Sequence, residues 1–129
     1  MLLFLYRFWK HSVFVADKIL SSINELKEKG NTAKGNKSFE EALNQYNRAL
    51  KLSENGLNLG RERAILHTNK CAVLTEMNSL QDALESAERA IENDSTWSKV
   101  KMIRNKKIIH LILSLFLMIG LSGVVMRKN

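Results

Sequence analysis

The sequence predicts an all-α fold: antiparallel helical hairpins in a short array, two repeats plus a partial third, followed by an apolar C-terminal helix. Three observations predict it. Phe39-Glu-Glu-Ala42-Leu43-x-x-Tyr46-x-x-Ala49-Leu50 recurs as Leu80-Gln-Asp-Ala83-Leu84-x-x-Ala87-x-x-Ala90-Ile91 at a constant offset of 41. Its apolar residues fall at i, i+3, i+4, i+7, i+10 and i+11, which gives a helix one apolar face. The alanines on that face let two helix axes approach closely. The 129 residues contain no proline, so nothing interrupts long helices.

Residues 1–21 form an apolar, basic N-terminal segment. Its apolar runs are broken by Arg7, Lys10, Asp17 and Lys18. Each charge near the centre of a spanning helix costs roughly 2.5–3.5 kcal/mol, so this stretch is not read as transmembrane. It lacks a clear small-residue cleavage site. Three readings stay open: an interfacial amphipathic helix, an organelle-targeting leader, or a helix packed on the repeats.

Residues 22–96 form the repeat domain, with units 22–60 and 61–96. Ser22-Ile23-Asn24-Glu25 reads as a capping box opening a helix. Ile23, Leu26, Gly30 and Ala33 then share a face. Ser38-Phe39-Glu40-Glu41 is a second box, and the helix from Phe39 runs to about Ser53. Glu54–Gly60 reads as a loop, with Asn55-Gly56 and Gly60 as turn signals. A helix from about Arg61 to Met77 follows, offering Ile65, Leu66, Ala72 and Val73 for burial. Asn78-Ser79 is a turn, and Ser79-Leu80-Gln81-Asp82 is a third box, opening a helix to Glu92. Asn93-Asp94-Ser95-Thr96 breaks it. Residues 97–107 are the basic start of an aborted third repeat.

These units resemble tetratricopeptide repeats. Lys27-Glu-Lys-Gly30-Asn31, Phe39-Glu-Glu-Ala42 and Tyr46-x-x-Ala49-Leu50 carry the likeness in the first unit. Thr68-Asn69-Lys70-Cys71-Ala72, Leu80-x-x-Ala83 and Glu88-Arg89-Ala90-Ile91 carry it in the second. The usual period is about 34 residues, so about seven are inserted at 54–60. Lys34 stands where the family usually has an aromatic residue, so the first hairpin is expected to lack one packing partner in its core. Asn105 stands where a small residue belongs in a third repeat. Since about three repeats are normally needed, another helix is expected to cover the second hairpin.

Within that family the chain is most similar to the dicarboxylate-clamp co-chaperones. That resemblance implies a peptide-binding groove for the acidic C-terminus of a heat-shock chaperone. A chain-terminal carboxylate beside an Asp side chain needs convergent cationic and amide donors. The implied donors are Lys27 and Asn31 on the first inner helix, Asn69 on the second and Lys99 on the third. The family's last arginine is displaced: Ile103 holds its place, and Arg104 comes one residue late, about 100° around a helix. One charged hydrogen bond is worth about 1.5–3 kcal/mol, so that loss predicts binding weaker by roughly ten- to a hundred-fold.

Residues 108–126 carry no charge over 19 residues. As a helix they would span about 28 Å against about 30 Å of hydrocarbon. Lys99, Lys101, Arg104, Lys106 and Lys107 precede them, and Arg127 and Lys128 follow. The segment therefore reads as a transmembrane tail anchor facing the cytosol, in the mitochondrial outer membrane or the endoplasmic reticulum. The alternatives are a helix capping the second hairpin in a cytoplasmic protein, or translated intron sequence after Lys99 in a truncated splice product.

The +7 net charge is concentrated at the ends: +2 over residues 1–16, −2 over 17–96 and +7 over 97–129. That placement argues against a nucleic-acid partner. No phosphate loop, metalloprotease helix or nucleophile arrangement is present. Cys71 is the single cysteine, and His11, His67 and His110 are scattered, so no cofactor, metal or small-molecule substrate is expected. The reading is a protein-interaction adaptor, not an enzyme. The alternative is a structural or assembly subunit that packs on a neighbour without gripping a carboxylate.

Overall fold

The computed structural model describes residues 1–54 and 57–96, together with residues 110, 111, 114 and 118 singly. Over the two continuous described stretches lie four helices: α1 (Leu2–Gly35), α2 (Phe39–Leu52), α3 (Gly60–Glu76) and α4 (Leu80–Asn93). Among the described residues there is no strand. α1 packs on α2 and α3 on α4 to make two hairpins. α2 packs against α3, and α1 meets α3 along a narrow strip.

α1 departs from the expected start. The helix runs unbroken through Ser22, whose Oγ donates to the Lys18 carbonyl at 3.0 Å instead of capping a helix start. A serine can bond back to the carbonyl four residues earlier when the chain upstream is already helical. Here the upstream residues form good helix, so the box has no free N–H groups to satisfy. The packed reading of the N-terminal segment also fails. Leu2 through Phe8 and Trp9 are exposed, Trp9 at 61 %, and α1 first meets the core at Ile19 and Leu20.

The turns are duplicated bond for bond. Lys37 and Asn78, 41 residues apart, both adopt positive φ, at 61° and 62°. Ser38 N–H donates to the Ala33 carbonyl and Ser79 N–H to the Leu74 carbonyl, each at 2.9 Å. Lys37 N–H donates to Lys34 and Asn78 N–H to Thr75, each at 3.0 Å. This is the paired 6→1 and 5→2 closure that satisfies a helix's last carbonyls. Ser38 and Ser79 occupy the N-cap positions of α2 and α4, though neither side chain makes a cap hydrogen bond.

Two apolar clusters hold the array. One joins Ile23, Leu26 and Ala33 of α1 to Ala42, Tyr46 and Ala49 of α2 and to Leu66 and Val73 of α3. The other joins Cys71 and Leu74 of α3 to Ala83, Ala87 and Ala90 of α4. Ala42, Ala49, Ala83, Ala87 and Ala90 are fully buried, so the repeated alanines set the helix contacts, as their spacing predicts. Gly30 does the same from α1: a Cβ there would lie 2.7 Å from Cδ1 of the Tyr46 ring.

Lys34 contributes no side chain to the first apolar cluster. Ala33 is the residue that faces α2, while Lys34 sits half-buried at the rim. The extra residues between the hairpins are also used. Leu59 is buried and Leu57 half-buried against the first cluster, and Arg63 Nη1 donates to the Ser53 carbonyl at 3.3 Å. Gly60 opens α3 where a Cβ would come within 2.7 Å of the Asn93 carbonyl. It therefore serves a close helix approach and not a turn.

Residues 97–107, including Lys99, Arg104 and the expected third repeat, lie outside the described residues. So does the segment 108–126, apart from His110, Leu111, Ser114 and Met118, which are exposed. Among the described residues no helix is long and apolar enough to cross a membrane.

Candidate functional site

The groove between α1 and α3 brings together the donors expected on the first two inner helices. Lys27 and Asn31 stand one turn apart on α1, so they share a face. Asn69 reaches them from α3: its Nδ2 donates to Asn31 Oδ1 at 3.3 Å. Asn31 is exposed, while Lys27 and Asn69 are half-buried, so a ligand can reach all three. Directly below lies a recess of about 120 Å³ between Leu20, Ile23, Asn24 and Lys27 of α1 and Glu62, Ile65 and Leu66 of α3.

Tyr46 completes the arrangement, and sequence reasoning treated it only as a packing residue. Its ring is fully buried against Gly30, and its hydroxyl donates to Asn31 Oδ1 at 2.7 Å. Burial, with the Glu28 charge second, raises the phenol above its ordinary value near 10, so it stays a donor at neutral pH. Two donors on one amide oxygen fix the orientation of Asn31. That turns its Oδ1 to Asn69 across the groove and leaves its NH₂ along α1, where it donates weakly to Glu28 Oε1 at 3.4 Å. The same carboxylate oxygen lies 3.9 Å from Lys27 Nζ.

Glu28 is thus a second residue that the sequence reading missed. It is an exposed side chain in contact with both groove donors, so it can stand in for an incoming carboxylate. The arrangement offers an ammonium and amide N–H groups beside a recess lined by Leu20, Ile23, Ile65 and Leu66 and also by Asn24 and Glu62. Those groups suit a carboxylate with a small apolar neighbour.

A larger cleft, about 550 Å³, lies on the other flank of α3 between α2 and α4. Arg63, His67, Lys70 and Arg89 line it, but so do Glu54, Asp82 and Glu85. Arg89 is held by Glu85 at 2.9 Å. Burial first, then Lys70, Arg89 and Arg63, pushes His67 down to about 4, so the ring is neutral at physiological pH. Burial, with Arg89 next, also lowers Lys70. Its cations are balanced by acids, as Lys27 is by Glu28 and Glu62 in the α1/α3 groove, so the Asn31–Asn69 pair and not net charge distinguishes the two.

No protein-family model matches the sequence. Over 76 residues, 59 % of this chain, it is 28 % identical to "Heat shock protein STI1" of Saccharomyces cerevisiae. Over 75 residues, 58 % of this chain, it is 35 % identical to "Protein STIP1 homolog" of Dictyostelium discoideum. The match covers 12 % of the length of each of these relatives. Together with four helices stacked as two hairpins, this distant likeness is compatible with a tetratricopeptide-type protein.

Proposed function

We propose that this chain is a non-enzymatic adaptor, similar to a co-chaperone, whose α1/α3 groove holds the acidic C-terminal peptide of a heat-shock chaperone. The observation that carries the proposal is the Asn69–Asn31 hydrogen bond across the two inner helices, with Lys27 one turn away. The likeness to Heat shock protein STI1 supports the partner class. In this reading Lys27 pairs with the terminal carboxylate, and Asn31 and Asn69 donate to it. Lys99 and Arg104, outside the described residues, are the further cationic donors that the resemblance implies, with the displacement of Arg104 along the sequence proposed to weaken the grip. Residues 108–126 are proposed to attach the chain to a membrane, on the strength of their length and basic flanks.

The test is fluorescence anisotropy with an acidic chaperone-tail peptide, as the free acid and as the C-terminal amide. The free acid should bind, and the amide should bind at least about tenfold more weakly, the loss of one charged hydrogen bond. Lys27→Ala should produce a similar loss. Equal binding of acid and amide would remove the carboxylate reading.

One observation favours a second reading. The Glu28 carboxylate already sits beside Lys27 and Asn31, as it would in an assembly subunit whose groove is satisfied internally. Glu28→Gln separates the two. In an adaptor it should raise affinity for the free acid. In an assembly subunit it should leave the chain without peptide binding.

A further inference from the structure

We infer that residues 2–19 of α1 are a dimerisation helix, pairing antiparallel with the same segment of a second copy. The inference goes beyond the peptide groove and does not depend on it. The observation is a register. Leu2, Leu5, Trp9, Ser12 and Ala16 advance by alternate steps of three and four. The line continues without a break through Ile19, Ile23, Leu26, Gly30 and Ala33, the side of α1 that faces the core. Alternate steps of three and four make the seam by which one helix packs along another. In the second half of α1 that seam is covered by α2. In the first half it is bare, with Leu2 85 %, Leu5 55 % and Trp9 61 % exposed, and Phe8, which flanks it, 65 % exposed.

The occupant follows from charge, shape and area. Arg7, Lys10 and Lys18 fall on the side of the helix away from the seam, so two copies can meet along it without opposing like charges. An antiparallel pair centred between Trp9 and Ser12 sets Trp9 against Ser12 of the second copy and Leu5 against its Ala16. Large side chains then meet small ones at every central layer. Ser12 costs nothing there, since its Oγ already donates to the Phe8 carbonyl at 2.9 Å. Covering Leu2, Leu5, Phe8 and Trp9 removes on the order of 600 Å² per copy, which reaches the lower bound of about 1,200 Å² for a specific pair.

A lipid surface fits less well. α2 stands on the same side of α1 as the seam, so a flat bilayer lying along the seam would meet α2. A projecting helix of this length is also marginal alone in water and needs a partner along its apolar side.

Sedimentation equilibrium of the full chain at micromolar concentration tests this. The chain should be a dimer. Leu5→Asp and Trp9→Asp, at positions exposed in the single copy, should each weaken association at least about tenfold while α2–α4 keep their thermal transition. In a Cys71→Ser background, Leu5→Cys mixed with Ala16→Cys should oxidise to a crosslinked pair, and Ala16→Cys alone should not. A monomeric chain overturns the inference, as does a dimer indifferent to both aspartates. Self-crosslinking of Ala16→Cys overturns the antiparallel arrangement. A monomer that binds phosphatidylserine vesicles or an unrelated protein through Leu5 and Trp9 assigns the seam to that partner instead.

Discussion

At the scale of single residues, the site was legible where chemistry depends on helical spacing and illegible where it depends on tertiary contact. Lys27 and Asn31 are four apart, so any helix puts them on one face. Asn69 joins them through the resemblance of the Thr68-Asn69 pair, and the structure brings Asn69 to Asn31. Glu28 bonds Asn31 one helical turn away within α1 and was legible from spacing alone. Tyr46, by contrast, was missed because its role exists only after α1 and α2 close on each other. His67 was missed for a similar reason, since its surroundings come from α3 and α4 together. It also carries a prediction. The unfolded ring titrates near its ordinary value of 6.5, and the folded ring near about 4. Between those values the unfolded chain binds the extra proton, so stability is full above pH 6.5 and falls as pH drops towards 4. Solvent reaching the half-buried ring reduces the effect to about 1–2 kcal/mol. Urea unfolding at a series of pH values should show that loss, and His67→Gln should flatten it. A slope unchanged by His67→Gln would assign the acid sensitivity to other groups.

At the scale of elements, three of the four helices were legible to within a residue or two. α1 was not. Its boundary was read from a capping box at Ser22, a local signal, while its continuity depends on the uninterrupted helix-forming run before it. α3 shows a different difficulty. Ala64, Leu66, Thr68, Cys71, Val73 and Leu74 are buried, and they do not form one stripe. α3 lies between α2 and α4, so it buries two faces and its periodicity blurs. The repeated turns, by contrast, follow the 41-residue offset even in backbone geometry, although Lys37 and Asn78 differ in chemistry. Asparagine tolerates the left-handed conformation through its short polar side chain, while lysine carries the full steric cost. Lys37→Gly should therefore stabilise the chain by about 0.5–1 kcal/mol, and Asn78→Gly by less. Thermal unfolding of the two variants side by side checks this. An equal gain at both sites would mean that the lysine conformation carries no special strain.

At the scale of the whole molecule, the question is whether two hairpins behave as one folding unit. α3 contributes Leu66 and Val73 to the first cluster and Cys71 and Leu74 to the second. Residues on both sides of one rigid helix couple the clusters: α3 cannot loosen from α2 without shifting against α4. Neighbouring repeats share stability through such interfaces, and with only two hairpins described, one interface carries the coupling. Leu66 is fully buried, and Leu66→Ala should cost about 2–5 kcal/mol. That is a large share of the stability of a small domain, which is about 5–15 kcal/mol. If α3 couples the clusters, the cost should appear in places that Leu66 does not touch. Native-state hydrogen exchange should show the amides of 83–90 in α4 losing protection by the same free energy as those of 23–33 in α1. If α4 keeps its protection while α1 loses it, the hairpins open independently. The groove would then be assembled from two separately stable parts, and the Asn69–Asn31 bond would form only while they are docked.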